Sequence, residues 1–189
     1  MAREIITHFH YIHHHGDSQR GFTLLELVFT VVIMGILIAM AAPSFNGLIE
    51  SNKIKRLATE IEWLLVQAKS EAVMSSKDNV EVQVVVDGVG TPIWSITLST
   101  ISGATSSTTV DVVTLAEVSS VNFSNIELDK TFTSPKLVFD KLNGKPNLAG
   151  GYQFNIPTKD KVKVTVNTMT GRIYSCGVDG AVYGYKKCY

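Results

Sequence analysis

The longest apolar stretch of the chain lies near its N-terminus. From Phe22 to Ala42 there are 21 residues, and Glu26 is the only charged one among them. As an α-helix this stretch would extend about 31 Å, which matches the hydrocarbon core of a bilayer. A secretory signal has a shorter apolar region of about 7–15 residues, followed by a small-residue cleavage site. The pattern therefore predicts a transmembrane helix, and Arg20 just before it favours a cytoplasmic N-terminus with the remainder outside the cytoplasm.

A second helical pattern runs from Ser44 to Met74. Apolar residues recur there at intervals of three and four, as on one face of an amphipathic helix: Leu57, Ile61, Leu64, Ala68 and Ala72. Pro43 lacks an amide donor and is expected to bend or loosen the helix between the two patterns. The simplest interpretation is one helix of about 50 residues, whose second half lies against a globular head.

Beyond Asn79 the pattern changes to the alternation of β-strands. Nine strands are predicted: Val80–Val84, Ile93–Leu98, Val110–Leu115, Val118–Phe123, Leu137–Phe139, Gly151–Ile156, Val162–Val166, Arg172–Cys176 and Ala181–Tyr185. In Val162–Val166 the valines should face inward and the neighbouring lysines outward. Ser99–Thr109 is rich in Ser, Thr and Gly and is predicted to be a long loop. The fold class is therefore α+β, with a long N-terminal helix, half membrane and half amphipathic, packed on an antiparallel β-rich globular head.

The composition excludes some classes of protein, and the charges divide the chain into an acidic and a basic region. The chain has 189 residues, 45% of them hydrophobic, which excludes intrinsic disorder. Its 17 basic and 17 acidic side chains give a net charge of zero, which argues against a generally basic nucleic-acid binder. Residues 130–189 nevertheless carry 10 basic against 3 acidic side chains, a net charge of +7, whereas residues 22–129 carry 5 against 12, a net charge of −7.

The border of the apolar stretch resembles a known processing site. Arg20-Gly21-Phe22-Thr23-Leu24-Leu25-Glu26 is similar to the cleavage site of type IV prepilins and type II secretion pseudopilins, and the match continues with Gly35 and Pro43, where the helix would kink. The resemblance implies that the prepilin peptidase, a membrane aspartyl protease, cuts between Gly21 and Phe22, and that Phe22 is N-methylated. Glu26 would become the fifth mature residue and pair with the N-terminal amine of a neighbouring subunit. The alternative is that its carboxylate extends to the nearby membrane interface.

The same resemblance divides the chain into four segments. They are a removed leader over 1–21, a transmembrane or filament-core helix over 22–46, an amphipathic helix half over 47–78, and a periplasmic head over 79–189. The leader is long for this class, and it holds all five histidines: His8, His10, His13, His14 and His15. The run at 13–15 has the composition of a metal site, but a solvated stretch discarded on maturation explains it better.

Two further stretches resemble the GspH/FimT minor pilins. Leu64–Val73 is similar to their "L…ARSEA" stretch, with Lys69 in place of the usual Arg, although an ordinary amphipathic helix would look much the same. Phe139–Pro146 resembles a hairpin common in their heads. The resemblance implies a minor type IV pilin, a structural subunit of pilus assembly or of a tip-priming complex. The alternatives are a type II secretion pseudopilin and a DNA-binding minor pilin for natural transformation.

This class implies a place in the cell and a set of partners. The protein would cross the bacterial inner membrane once, with its head in the periplasm, and then enter a pilus or pseudopilus. Its partners would be other pilins or pseudopilins, the prepilin peptidase and the inner-membrane assembly platform. No enzyme is predicted, because a mature chain without histidine lacks a Ser–His or Cys–His pair, no Gly-rich phosphate loop occurs, and the acidic residues are scattered. No cofactor and no metal are expected.

The C-terminal region holds two cysteines and several cations. Cys176 and Cys188 enclose 11 residues; in an oxidising periplasm they are expected to pair, and C-terminal disulfide loops are common in type IV pilins. Two free thiols or a metal pair are the weaker alternatives. Some FimT-like pilins bind DNA through a basic C-terminal region, and Arg172, Lys186 and Lys187 are the candidates here for a DNA or anion contact. The plainer explanation is that these cations occupy the solvent face of strands.

Overall fold

The computed structural model describes residues 21–75, 80–103 and 111–189, and for residues 41–44 and 46 it describes the backbone alone. The predicted leader, with its histidines, lies outside the described residues except for Gly21. One helix, α1, extends over Leu24–Met74. The chain divides into two compact units between Ser44 and Phe45, and each is described by itself.

The first unit contains the beginning of α1. Thr23 caps the helix, because its Oγ1 accepts a hydrogen bond from the Glu26 amide at 3.2 Å and its carbonyl accepts one from the Leu27 amide at 3.1 Å. The side chains from Phe22 to Met40 are exposed. Within the described part of the chain, no helix combines the length and the apolar character needed to cross a membrane. The transmembrane helix over Phe22–Ala42 stays a prediction.

Of the two features predicted for α1, the bend at Pro43 is not tested and the apolar face of its second half is confirmed. The helix continues through residue 43, but the side chain of Pro43 lies outside the described residues, so the bend there stays a prediction. In the second unit the predicted apolar face is confirmed, because each of its five members is at most 3% exposed. Ile54, Ala58 and Leu65 extend the same buried face. Their intervals of three and four place them along one side of the helix.

Two four-stranded antiparallel sheets form the rest of the second unit. The first sheet has the order β3-β2-β1-β5, and the second has the order β4-β6-β7-β8. The strands are β1 Val80–Asp87, β2 Ser95–Ser102, β3 Asp111–Ser119, β4 Glu127–Lys130, β5 Lys136–Phe139, β6 Gly150–Asn155, β7 Val162–Val166 and β8 Ile173–Gly177. A short 3₁₀ helix over Ser120–Asn122 follows β3.

One hydrophobic core joins both sheets to the buried face of α1. Val82, Val84 and Val86 of β1 alternate into it, and β7 contributes Val162, Val164 and Val166 as predicted. Because side chains of a strand alternate between its two faces, each sheet offers one apolar face to the helix and one more polar face to solvent. The α+β fold, with a long helix on an antiparallel head, is thus observed.

Several strand predictions are wrong in detail. The predicted loop at Ser99–Thr109 is incorrect at its start, because β2 continues to Ser102 and pairs on both sides, with β1 and β3; residues 104–110 lie outside the described residues. The predicted strand Val110–Leu115 lies in β3 from Asp111 onward, and β3 continues to Ser119 with a register shift opposite Leu98 and Ser99. A β-bulge of this kind interrupts the alternation that a single strand would otherwise show. The predicted strand Val118–Phe123 is wrong beyond its first two residues, because Ser120–Asn122 form the 3₁₀ helix.

Two other segments also differ from prediction. Ala181–Tyr185 is a tight turn instead of a strand: Val182 and Tyr185 form an isolated bridge, and Tyr183 and Gly184 have left-handed backbone angles. The strand β4 was not predicted, because Leu128 is its one buried apolar residue. The predicted Phe139–Pro146 hairpin is supported by the antiparallel bridge between its two end residues.

Candidate functional site

The predicted cleavage site lies in backbone that precedes the helix. Gly21, Phe22 and Thr23 are not helical, and all three are exposed. A Cβ atom built on Gly21 would meet nothing within 4 Å. Among the described residues, the peptide bond between Gly21 and Phe22 is therefore exposed and outside the helix, which favours access by a protease.

Glu26 lies in the first turn of α1, three residues after the capping threonine. The spacing Thr-x-x-Glu is that of a capping box, in which a carboxylate at the third helical position stabilises the helix start. A negative charge there also interacts favourably with the helix dipole. The side chain is exposed, and no salt bridge of Glu26 occurs within the described part of the chain. Gly35, which was predicted with Pro43 at a helix kink, has open space where a Cβ atom would stand.

The disulfide predicted in the head is present. Cys176, at the end of β8, is bonded to Cys188, with their Cα atoms 5.0 Å apart. The C-terminal segment follows the outer edge of β8, because the Gly177 amide donates to the Lys186 carbonyl at 2.8 Å and the Cys188 amide donates to the Gly177 carbonyl at 2.9 Å. These bonds satisfy backbone groups that a sheet edge would otherwise leave open.

The three predicted cations meet in one open groove beside this segment. We call it the basic groove: about 590 Å³ in volume, it is lined by Arg172, Lys186 and Lys187, and by Tyr174, Tyr185 and Tyr189. No Asp or Glu side chain is among its lining residues. All three cations are exposed.

Two contacts shape the electrostatics of the basic groove. The Arg172 guanidinium stands over the Tyr174 ring at 5.2 Å, a cation–π contact that fixes the ring and the charge together. Glu62 of α1 lies at its margin, where it accepts a hydrogen bond from the Ser175 hydroxyl at 2.5 Å. Burial raises the pKa of Tyr185, and the negative charge of Glu62 raises it further. Tyr185 is therefore a neutral hydrogen-bonding group at physiological pH.

A second groove was not predicted from the sequence. We call it the acidic groove: about 590 Å³ in volume, it lies between α1 and β3 and is lined by Glu60, Trp63 and Glu71 of the helix and by Glu117 of the strand. Trp63 is 69% exposed, whereas the other tryptophan, Trp94, is 2% exposed. A signal was available, because Trp63 lies off the buried periodicity of α1, and so large an apolar residue is unusual on a solvent face.

Neither groove has the ligands of a metal centre. Among the residues that the structure describes, no group of three or more His, Cys, Asp and Glu side chains is arranged to hold a metal ion. What the two grooves offer is charge and aromatic surface, which suits binding.

Comparison with known proteins decides the class of the N-terminal region. Residues 16–42 match the family described as the prokaryotic N-terminal methylation motif. The chain is 36% identical over 61 residues to a fimbrial protein of Pseudomonas aeruginosa, covering 32% of this chain and 39% of the relative. It is 40% identical over 63 residues to the type II secretion system core protein G of Klebsiella michiganensis, covering 33% and 42%. In its N-terminal region, this chain is similar to type IV pilins and type II secretion pseudopilins.

The similarity of this chain to its relatives covers only part of each molecule. A type IV major alpha-pilin of Moraxella bovis is 32% identical over 75 residues, which is 34% of this chain and 47% of the relative. The chain thus spans less than half the length of each relative named here. No solved structure matches it. Each of these alignments covers about a third of this chain.

Proposed function

We propose that this chain is a structural subunit of a type IV pilus, of the minor, GspH/FimT-like class. The observation that carries the proposal is the match of residues 16–42 to the N-terminal methylation motif. It is supported by the exposed, non-helical bond between Gly21 and Phe22 and by Glu26 in the first helical turn. The type II secretion pseudopilin of the same family is the alternative, since both kinds of protein are among its relatives.

In this proposal the protein works by assembly. Prepilin peptidase removes residues 1–21 and Phe22 is methylated, after which the inner-membrane platform adds the subunit to a filament. The apolar side chains exposed between Phe22 and Met40 need a cover, and lipid followed by neighbouring filament helices would supply it. The Cys176–Cys188 disulfide agrees with a head in an oxidising periplasm.

Mass spectrometry of the mature N-terminus tests the proposal. The expected first residue is N-methylated Phe22, in cells that contain the prepilin peptidase. Gly21→Ala should block cleavage, and Gly47→Ala, in a helical position with open space around it, is the matched control. A mature protein that keeps its leader, or one cut elsewhere, would contradict the proposal.

Glu26 supplies a second test, this time of assembly. Glu26→Gln removes the charge and keeps the shape, so the variant should be cleaved normally but recovered in filaments at a much lower level. Glu26→Asp should assemble better than the Gln variant, because the charge that pairs with a neighbouring amine is retained. Equal recovery of both variants and the wild type in purified filaments would argue against the assembly role.

The basic groove supports a second candidate function, contact with DNA. Its three cations and three tyrosines combine phosphate binding with surfaces on which bases stack. Retardation of a DNA duplex by the full chain should decrease when Arg172, Lys186 and Lys187 are replaced by Ala, and its salt dependence should weaken. Replacing Lys55 and Lys161, also exposed, is the control. Unchanged retardation and unchanged salt dependence in the triple variant would refute DNA contact at this groove.

A further inference from the structure

Two grooves of opposite charge flank helix α1. We propose that the surface around the acidic groove of one copy binds the surface around the basic groove of a second copy of this chain. The acidic groove has three carboxylates and no cation in its lining. The basic groove is lined by three cations and by no Asp or Glu, with Glu62 at its margin. The inference rests on the proposed function, because it names the partner of these surfaces within an assembly of such subunits.

The two grooves lie on different sides of α1. Val66 and Ser70 line the acidic groove toward β3. The same two residues also line a further groove, whose other wall is Arg172 and Ile173 at the start of β8. The helix therefore has β3 along one flank and β8 along the other. Because Arg172 also lines the basic groove, the acidic and basic surfaces belong to opposite flanks.

This placement determines the kind of contact. A surface patch that meets a different patch on its partner forms a heterologous contact, and each copy keeps a second patch free for the next copy. Such contacts repeat along a row of subunits instead of closing into a symmetric pair. One copy can therefore use both grooves at once.

The charges available for the contact can be named. Glu60 already pairs with Arg56 at 2.9 Å. Glu71 and Glu117 have no ion pair within the described part of the chain, so they carry the uncompensated negative charge of the acidic groove. On the other side Lys186 and Lys187 are exposed. Opposite charges of this kind guide two copies into register and disfavour the pairing of two acidic or two basic grooves.

Trp63 provides the apolar part of the contact. Its exposed ring and the neighbouring Val66, 44% exposed, form an apolar surface beside the carboxylates. Tryptophan, tyrosine and arginine are the residues that most often dominate binding energy at protein interfaces. The basic groove offers the last two, as Tyr174 with Arg172 over its ring. A nucleic acid fits the basic groove only, whereas a second copy accounts for both grooves.

Zero-length cross-linking tests the contact directly. Full chain labelled with ¹⁵N is mixed with unlabelled chain in detergent micelles and treated with a carbodiimide, which joins a carboxylate to a lysine in contact with it. We expect isotopically mixed peptide pairs that join Glu71 or Glu117 to Lys186 or Lys187. Lys55, exposed elsewhere on α1, is the control and should not be joined to these carboxylates. Mixed pairs that are equally frequent at Lys55 would overturn the proposal.

Charge reversal adds a test that a general loss of folding cannot imitate. The variants Glu71→Lys/Glu117→Lys and Lys186→Glu/Lys187→Glu should each lower the yield of cross-linked dimers at least about tenfold, because like charges then face each other and because the reacting carboxylates or lysines are replaced. Mixing the two variants should restore the yield, since the intact acidic groove of one meets the intact basic groove of the other. Failure of the mixture to recover overturns the contact.

The fluorescence of Trp63 gives an independent measurement. Trp94 is buried already, so a blue shift of emission with rising protein concentration should come from Trp63 and should disappear in Trp63→Phe. Cleavage after Gly21 is measured on the same samples. Processed chain that enters filaments without Glu–Lys links would overturn the contact and leave the proposed function standing, whereas unprocessed chain would overturn the proposed function itself. Protection of Lys186 and Lys187 by added DNA, but not by a second copy, would also overturn the contact.

Discussion

Tyr152→Phe should stabilise the second unit, because it removes a buried hydroxyl that has no hydrogen-bond partner. Tyr152 lies in β6 and is 0% exposed. Its hydroxyl finds no partner among the described residues. The ring itself is well packed, with an edge-to-face contact to Phe132 at 5.1 Å between centroids. Phenylalanine keeps the ring contacts and loses only the hydroxyl.

The magnitude follows from two opposing contributions. An unsatisfied buried polar group costs about 1–3 kcal/mol. Removing one oxygen leaves a small void, and at about 24 cal/mol per Å³ that void costs a few tenths of a kcal/mol. The free energy of unfolding should therefore rise by about 1–2 kcal/mol. For a unit of this size, each kcal/mol corresponds to roughly 2–4 °C in Tm.

The same substitution should change how stability depends on alkaline pH. Burial raises the pKa of Tyr152 in the folded state well above its ordinary value. The folded state therefore holds this proton at pH values where the unfolded state releases it. The stability that this group contributes is fully present below about pH 10 and is lost as the pH rises from there, by up to about 1.4 kcal/mol per pH unit. The Tyr152→Phe variant has no hydroxyl at this position, so it should not lose this part of its stability above pH 10.

Guanidinium unfolding of the full chain in detergent micelles, followed by near-UV circular dichroism, measures both effects. The midpoint should rise at neutral pH, and the gap between variant and wild type should widen above pH 10. Tyr189→Phe, at a fully exposed tyrosine, is the control and should change neither. If Tyr152→Phe instead destabilises the chain by about 1 kcal/mol or more, the hydroxyl has a partner and the reasoning is wrong.

Three further changes have predictable effects on the free energy of unfolding. Replacing both cysteines of the Cys176–Cys188 disulfide by Ser should lower it by about 3 kcal/mol, since the bond closes a loop of sequence separation 12; reductant should reproduce the loss in the wild type and leave the variant unaffected. Gly144→Ala should lower it by about 1–3 kcal/mol, because Gly144 has φ +62° and an added Cβ would stand 2.7 Å from the Lys69 Cγ. Gly180→Ala, where an added Cβ meets open space, is the control. Equal losses in the two variants would contradict the strain argument. Leu57→Ala should cost about 2–5 kcal/mol because Leu57 is 0% exposed, and a loss below about 1 kcal/mol would mean that the face of α1 is less tightly packed than described.

The helix and most strands could be predicted because their apolar residues repeat with the period of the element. The buried face around Leu57 and Ile61 follows 3.6-residue spacing, and the valines of β7 follow alternation. Strand β4 could not be predicted, because only Leu128 of its four residues is buried and apolar. Its identity as a strand depends on pairing with β6, which no local pattern reveals.

The basic groove could be predicted from the sequence, whereas the acidic groove could not, because its residues are distant in sequence. Arg172, Lys186 and Lys187 lie close together in sequence, so the excess of basic residues near the C-terminus was enough to suggest one surface. The acidic groove combines Glu71 of α1 with Glu117 of β3, and their proximity exists only after the core has formed. Composition had indicated an acidic half of the chain, but it could not say which carboxylates meet around an exposed tryptophan.

The disulfide influences how firmly two cations of the basic groove are held in place. Lys186 and Lys187 lie inside the loop that Cys176 and Cys188 close, and the segment that carries them is aligned on β8 by backbone bonds to Gly177. Oxidation therefore helps to fix two of the three cations of the basic groove. Without the disulfide, those two cations are tethered by the backbone bonds alone, so a reductant should weaken the proposed contact between copies.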